Sequence, residues 1–407
     1  MTGKHPGKGN MQMKNKIIES MLILAYAFLL CMCAVLICSG ASAESAVDLA
    51  NTENHDGWLD FCTLPDGGLV LAGYTEIADE SGPDNGRILC LNADRTVRWT
   101  LMDPDTFSYG TVRVTGDGNI AAYYFDGVKF YTPDGQPAGH EIHLPYTSGN
   151  VYGITALGIL GARRPDDAYQ AESLEMKDWN GNTLFRISEP ESMWVGSAPI
   201  EDGVCLVLCG QEAGDPAEAA AKILKVDLQG NTVWETRLPF LSDRRDCTGA
   251  TSGIKTSDGG YLAVIWDLTT DPETGAEKSS HVPVKLDSAG RVQWMHPTDF
   301  AFWHVVEYNR KYIGYRQFQD PETNLPSIRY LWLDSDGNEL GTSELRLCEE
   351  NLPRYADRNN MSISVEKLIS MDDGLWQVLC FWDTDEPEEE DPAWIQQDNL
   401  LIRVPEI

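Results

Sequence analysis

From Gly57 onward the chain alternates short apolar runs with short polar breaks, and the breaks follow a fixed order. In the clearest instance Ser257-Asp258-Gly259-Gly260 precedes the run Tyr261 to Trp266. A polar insert follows, then Val284-Lys285-Leu286, then Asp287-Ser288-Ala289-Gly290, then Arg291-Val292-Gln293-Trp294. The runs have strand length and are rich in β-branched and aromatic residues, while the breaks carry the Gly, Asp and Asn of tight turns. The pattern predicts a turn, a strand, a long acidic loop, a second strand, a second turn and a strand closing on Trp.

The same order recurs through the chain. The first turn appears at Asp66-Gly67-Gly68, Asp117-Gly118, Asp202-Gly203 and Asp373-Gly374, and the second at Asp134-Gly135, Asn180-Gly181, Gln229-Gly230 and Asp336-Gly337. Seven units of about 50 residues with four strands each are the signature of propeller blades, because one blade cannot bury both of its faces alone. The expected fold class is therefore all-β, a β-propeller of seven four-stranded blades. The last unit ends one strand short. The segment Ser45-Ala46-Val47-Asp48-Leu49-Ala50 is expected to supply that strand and close the ring, which would remove an open sheet edge.

The run Asp66 to Thr75 with Leu91 to Trp99, and again Ser257 to Trp266 with Val284 to Trp294, resembles the repeat of secreted bacterial β-propellers grouped as quinoprotein-like or outer-membrane-assembly-like. The resemblance covers about residues 57–300. It implies the fold and leaves activity open, since such propellers serve as enzymes, scaffolds and binding modules. The quinoprotein dehydrogenases of this architecture carry a cofactor and a calcium ion. Here Arg95 replaces the turn Gly in unit one, and Gly139 and Gly341 stand where units two and six would end on Trp, so no cofactor is expected.

Before the repeat lie Lys4, Lys8, Lys14 and Lys16, an apolar run from Met21 to Cys38, and Ala41-Ser42-Ala43. This is the order of a secretory signal, residues 1–43, with an uncleaved anchor as the competing reading. Residues 44–407 are then a single propeller domain, secreted or extracytoplasmic, and a monomer is expected. The net charge of −32 becomes −35 without residues 1–43. Nucleic acid is excluded as a partner, because phosphate binding needs Lys and Arg in excess, and a membrane is met only through an uncleaved N-terminal segment. Ten cysteines include three in the apolar run, and none of the spacings suggests a metal site. Cys205 and Cys209 share a strand face about 13 Å apart, too far to bridge.

Repeated residues read as scaffold. Trp99, Trp234 and Trp294, with Phe185 in the equivalent place, are expected to pack blade against blade. The acidic run Asp383 to Asp391 is one candidate for calcium, and Asp334-Ser335-Asp336-Gly337-Asn338, which has the look of half a calcium loop, is another. The same slot holds ordinary turn residues in other units, which favours a hairpin. Catalytic residues are not identified: the histidines are scattered, and no nucleophile with a partnering base stands out.

Candidate binding residues come from the irregular inserts 75–86, 211–220, 267–282, 316–327 and 383–398, which the strand order puts on one face. They are acidic, and the residues singled out are Asp267, Asp271 and Glu273 in one insert and Trp382, Asp383, Asp385 and Trp394 around another. The expected function is a non-catalytic binding or scaffold module with an acidic loop face. Its ligand would be a protein or a glycan, cationic where it meets that face. The alternative is an extracytoplasmic glycoside hydrolase or lyase using carboxylates at the central channel.

Overall fold

A computed structural model describes residues 47–50, 55–76, 85–124, 127–143, 151–154, 157–163, 173–187, 192–200, 203–210, 221–238, 247–270, 274–298, 300, 305–321, 325–347, 361–383 and 397–407. They belong to one compact unit, Ser45–Ile407. The expected signal or anchor, residues 1–43, lies outside the described residues.

The strands form seven four-stranded antiparallel sheets. A short strand, β1 (Val47–Asp48), comes first. Blade 1 then holds β2 (His55–Thr63), β3 (Leu69–Glu76), β4 (Asn85–Leu91) and β5 (Val97–Asp103). Blade 2 holds β6 (Tyr109–Val114), β7 (Ile120–Tyr124), β8 (Gly127–Tyr131) and β9 (Pro137–His143), and blade 3 holds β10 (Val151–Ile154), β11 (Gly158–Arg163), β12 (Ser173–Asp178) and β13 (Thr183–Ile187). Blade 4 is β14 (Ser192–Ile200), β15 (Gly203–Gly210), β16 (Ala221–Asp227) and β17 (Thr232–Leu238). Blade 5 is β18 (Cys247–Lys255), β19 (Tyr261–Thr270), β20 (Glu277–Leu286) and β21 (Val292–Met295). Blade 6 is β22 (Val305–Tyr308), β23 (Lys311–Gln319), β24 (Pro326–Leu333) and β25 (Glu339–Arg346). Blade 7 is β26 (Met361–Met371), β27 (Gly374–Asp383) and β28 (Gln397–Arg403), and β1 lies outermost beside β28, with Val47 opposite Leu401 and Asp48 opposite Leu400. The first strand of each blade contacts the first strand of the next, and β26 returns to β2. The sheets thus form a ring, a seven-bladed β-propeller.

The second turn explains the regularity. In Asp287-Ser288-Ala289-Gly290 the Gly N–H donates to Asp287 O (3.0 Å), and the Asp287 carboxylate accepts the N–H groups of Ala289 and Arg291, both at 2.9 Å. Gly290 sits at φ +79, a left-handed conformation that Gly adopts without penalty. One extra residue is thereby inserted before the fourth strand, seen as a register shift between Lys285 and Leu286. The same bonds form around Asp178, Asp227 and Asp334. The carboxylate of Asp334 is therefore engaged by its own hairpin. Blade 6 uses a different first turn, Asn309-Arg310 at φ 50 and 59 between the paired Tyr308 and Lys311, the two-residue form in which both central residues are left-handed.

Apolar residues meet between blades in seven clusters, one for each neighbouring pair around the ring. At four of the seven junctions the anchors predicted from sequence meet the next blade. A side chain added at Gly135, Gly230, Gly290 or Gly337 would strike Trp99, Phe185, Trp234 or Trp294 of the preceding blade at 2.5–2.7 Å. Trp99 and Trp294 also donate their indole N–H to Pro133 O and Ser335 O across the gap, each at 2.9 Å. At these four junctions the aromatic residue occupies the space beside the next blade's turn glycine. In blade 1 Arg95 stands at that glycine's place with φ +70, and its guanidinium reaches Asp373 (2.8 Å to both oxygens) and covers the Trp376 ring of blade 7.

Two of the expected inserts prove to be strand. Residues 267–270 and 277–282 continue β19 and β20 as a protruding hairpin, with Thr270 opposite Glu277. Asp267, Thr269, Thr270 and Glu277 to Ser280 are polar in the sequence, which made the stretch read as a loop. In 316–327 the strands likewise run to Gln319 and restart at Pro326, and Asp320 is buried, its N–H bonded to Leu325 O, contrary to the exposed acidic loop expected. Cys90, Cys205 and Cys380 are buried unbridged thiols and Cys62 a half-buried one; burial pushes the Cys205 thiol up to about 12.

Two outcomes are expected. Gly259→Ala, where φ is +83 and no atom lies within 4 Å of the new carbon, should lose only the left-handed penalty, about 1–2 kcal/mol. Gly290→Ala, at almost the same φ, meets Trp234 at 2.5 Å and should lose about 1–3 kcal/mol more. Equal losses in urea melts would show that the aromatic contact does not hold the blades. The second outcome concerns pH. Hydrogen bonds from Asn231, Arg291 and Asn338 hold Asp227, Asp287 and Asp334 below the usual carboxylate range. Such groups stabilise the fold fully above their unfolded pKa, about 4, and lose that contribution as pH falls through the lower folded values. Melting temperature should thus drop between about pH 4 and pH 2, and Asp→Asn at all three turns should shrink that drop.

Candidate functional site

The first strand of each blade borders the axis of the ring, and six of the seven are irregular. Register shifts interrupt β2 between Trp58 and Asp60, β6 between Tyr109 and Thr111, β10 between Val151 and Gly153, β14 between Trp194 and Gly196, β18 between Ala250 and Ser252, and β26 between Val365 and Leu368. Only β22 pairs without a shift. A bulge inserts a residue that has no partner and turns a side chain out of the alternation. Leu59, half exposed, is one such residue, and in β26 the two residues Glu366 and Lys367 occupy the irregular place.

Around these bulges three blades share one carboxylate. Asp60 on β2 accepts a hydrogen bond from Arg113 Nη1 of blade 2 at its Oδ2 (2.5 Å), and another from the Val112 N–H (3.2 Å). Its Oδ1 accepts Lys367 Nζ of blade 7. Burial opposes the charge on Asp60, but Arg113 and Lys367 together outweigh it and hold the carboxyl below its ordinary value. Nearby on β2, Asp56 Oδ1 accepts the Thr75 hydroxyl (2.6 Å) and pairs with Arg87 Nη1 (2.8 Å). Arg87 also lies over the Trp58 ring and donates to Ala50 O. A hydrolase built on this axis needs one carboxyl kept protonated as the acid. Asp60 is held in the opposite state.

A second concave region lies between blades 1 and 2, a cavity of about 480 Å³ with Leu101, Met102 and Phe130 as apolar wall and Asp103, Lys129 and Glu141 as polar groups. Asp103 Oδ2 accepts Tyr109 OH (2.5 Å), Lys129 Nζ (2.8 Å) and Thr106 Oγ1 (3.1 Å), and the Tyr109 and Tyr131 hydroxyls lie 2.6 Å apart. Burial raises the Asp103 carboxyl, but the bonds from Lys129 and Tyr109 prevail and hold it low. Burial also pushes the Tyr131 phenol up to about 12 and Tyr109 higher still. At neutral pH the phenols keep their protons and Asp103 keeps its charge. The network can bind and orient, and none of its members is poised to take or give a proton.

The residues expected from sequence fall elsewhere. Asp267 is on β19, opposite Thr248 and Ser280, within the strand extension described above. Trp382 and Asp383 end β27, opposite Ser362 and Met361. These three stand on two different sheets. Asp271, Glu273, Asp385 and Trp394 lie outside the described residues, as do 77–84 and 211–220 of the other inserts. Sequence reading missed Asp60, Arg113, Lys367 and the Asp103 network. The one available signal was a charge set inside an apolar strand run, as in Trp58-Leu59-Asp60-Phe61. Among the described residues no three His, Cys, Asp or Glu side chains converge as metal ligands.

No family model and no curated protein matches the chain. Among solved structures it is similar to a catalytically inactive variant of virginiamycin B lyase from Staphylococcus aureus with quinupristin, at 12% identity and TM-score 0.47 over 88% of this chain and 99% of that one. It is also similar to the WD40 β-propeller domain of Doa1, at 8% identity and TM-score 0.47 over 88% and 96%. A protein of unknown function from Bacteroides caccae follows at 12% identity and TM-score 0.32 over 80% and 93%. Likenesses of this degree speak to neither activity nor partner. The chain's own seven sheets and their closed circuit of first strands make it an all-β, seven-bladed propeller.

Proposed function

We propose that the protein is an extracytoplasmic binding or scaffold propeller that carries out no chemistry of its own. The observation that carries this reading is the state of Asp60. The carboxylate set on the axial strands, where a propeller hydrolase would keep its acid, is clamped by Arg113 and Lys367 and held charged. The basic and apolar order of residues 1–43 supports export, by cleavage or as an anchor. The excess of 63 acidic over 31 basic residues supports a ligand that is cationic where it docks, a protein or a glycan-bearing surface. Calcium is the ion such acidic inserts would take. Trp99, Trp234 and Trp294 lying on the next blade's turn support a repeat of the quinoprotein-like kind.

The N-terminal strand is read as the clasp of the ring. Supporting this are the pairing of β1 with β28, the bond from Leu49 N–H to Asn399 O, the bond from Asn399 Nδ2 to Asp56 O (2.7 Å), and Leu49 buried among blade 1 and blade 7 residues.

Three measurements test these readings. A basic peptide should bind saturably, weaken as salt rises from about 50 to 300 mM, and lose at least tenfold affinity when the acids from Asp383 to Asp391 are neutralised. Glycan arrays run beside hydrolysis assays should show no turnover, and turnover of any glycan would overturn the non-catalytic reading. For the clasp, deletion of residues 45–50 should lower the melting temperature by several degrees. An unchanged value would leave β1 a passenger.

A further inference from the structure

We infer that the axial wall shared by blades 7, 1 and 2 holds a binding site for a small oxyanion, a carboxylate or phosphate group, gripped by Arg113 and Lys367. This goes beyond the acidic-face reading and does not depend on it, since the ligand charge is opposite.

The argument begins with what solvent meets. Asp60 is 1% exposed, while the side chains of Arg113 and Lys367 are 33% and 35% exposed. The anion of the triad is hidden and both cations show. One negative charge is shared by two positive ones, so the cluster presents a net positive face within a chain of net charge −32. A buried carboxylate beside an exposed cation also occurs at Glu175–Arg186 and Asp320–Arg346, while two other pairs hide the cation. The Arg87 side chain is 4% exposed beside Asp56, and that of Lys285 is 1% exposed beside Asp258. In those two pairs the cation is buried, although the Asp258 side chain is itself 53% exposed.

Donors remain on both residues. Arg113 uses Nη1 alone, toward Asp60 and the Val112 carbonyl, which leaves Nε and Nη2 for a ligand. Lys367 gives Nζ to Asp60 and has two further N–H bonds to offer. Because both bind one carboxylate from either oxygen, their cationic nitrogens stand at most about 8 Å apart. A second carboxylate or a phosphate bridges that span by the same charge-assisted bonds.

The backbone supports the same reading. Lys367 belongs to a bulge in β26, Asp60 follows the bulge of β2, and Arg113 lies on the bulged β6. Bulges re-aim side chains, and here the irregular position carries a charge that reaches solvent at the axis.

The test titrates the full-length protein with sodium phosphate and with sodium acetate, each against sodium chloride at constant ionic strength, following melting temperature and heat of binding. Saturable binding of at least one of the two is expected, and which anion binds assigns the source. Lys367→Gln and Arg113→Gln should each weaken it about tenfold. Asp60→Asn removes the internal competitor, so it should bind the anion several-fold more tightly. Arg113→Lys keeps the charge and serves if a neutral variant fails to fold. The inference is overturned if neither anion binds at 20 mM, taken as roughly a hundredfold above a typical small-ligand site, or if Lys367→Gln and Arg113→Lys bind as the parent does.

Discussion

The structure depends on the fact that a four-stranded blade has two apolar faces and can cover neither by itself. Every interior layer of this protein therefore lies between blades, as in the cluster where Leu160 and Met176 of blade 3 meet Val204 and Leu224 of blade 4. Apolar layers are non-directional and would let neighbouring sheets slide. Register comes from the aromatic at the edge of one blade resting on the turn glycine of the next, fixed by the indole bond of Trp99 to Pro133 O and of Trp294 to Ser335 O. The left-handed turn is thus doubly constrained. Gly290 satisfies the hairpin, and its missing side chain is the seat for Trp234.

The junction between blade 7 and blade 1 obeys different rules. No aromatic from β1 is available to rest on blade 1's turn, and the turn carries Arg95 in place of Gly. Arg95 spans the gap instead, with Asp373 and the Trp376 ring as its partners. Polar bonds add to it through Asn399, Asp56 and Arg87. The departure from the repeat pattern that seemed to weaken unit one is what lets two unlike blades join.

Much of this fold was legible in the sequence, and the reason is local. Asp-x-x-Gly hairpins and strand-length apolar runs are determined by a few adjacent residues, so each announces itself. The strands of the 267–282 insert were not legible, because Asp267, Thr269, Thr270 and Glu277 to Ser280 read in the sequence as a polar break between two apolar runs. The bulges of the inner strands were also hidden. A register shift belongs to two strands at once, and Leu59 or Gly110 has no turn residue beside it to mark one. The axial triad was least visible of all. Asp60 lies 53 residues from Arg113 and 307 from Lys367, and only closure of the ring brings blades 7 and 2 to either side of blade 1.

The scarcity of basic residues gives their placement meaning. With 31 Lys and Arg against 63 Asp and Glu, most cations in this chain can be expected to serve an internal carboxylate. Arg87, Lys129 and Lys285 do so, at Asp56, Asp103 and Asp258. In each of those pairs one cation faces one carboxylate. At Asp60 two cations converge where one would neutralise the carboxylate, and both keep a third of their surface open. Repulsion between like charges makes such a pair unfavourable unless an anion sits between them, and the single buried Asp60 compensates only one. A surface this acidic makes the second anion harder to recruit from the chain's own loops than from solution, since those loops also repel one another. At the proposed site two partly exposed cations thus stand against one buried carboxylate, the reverse of the chain's overall excess of acids.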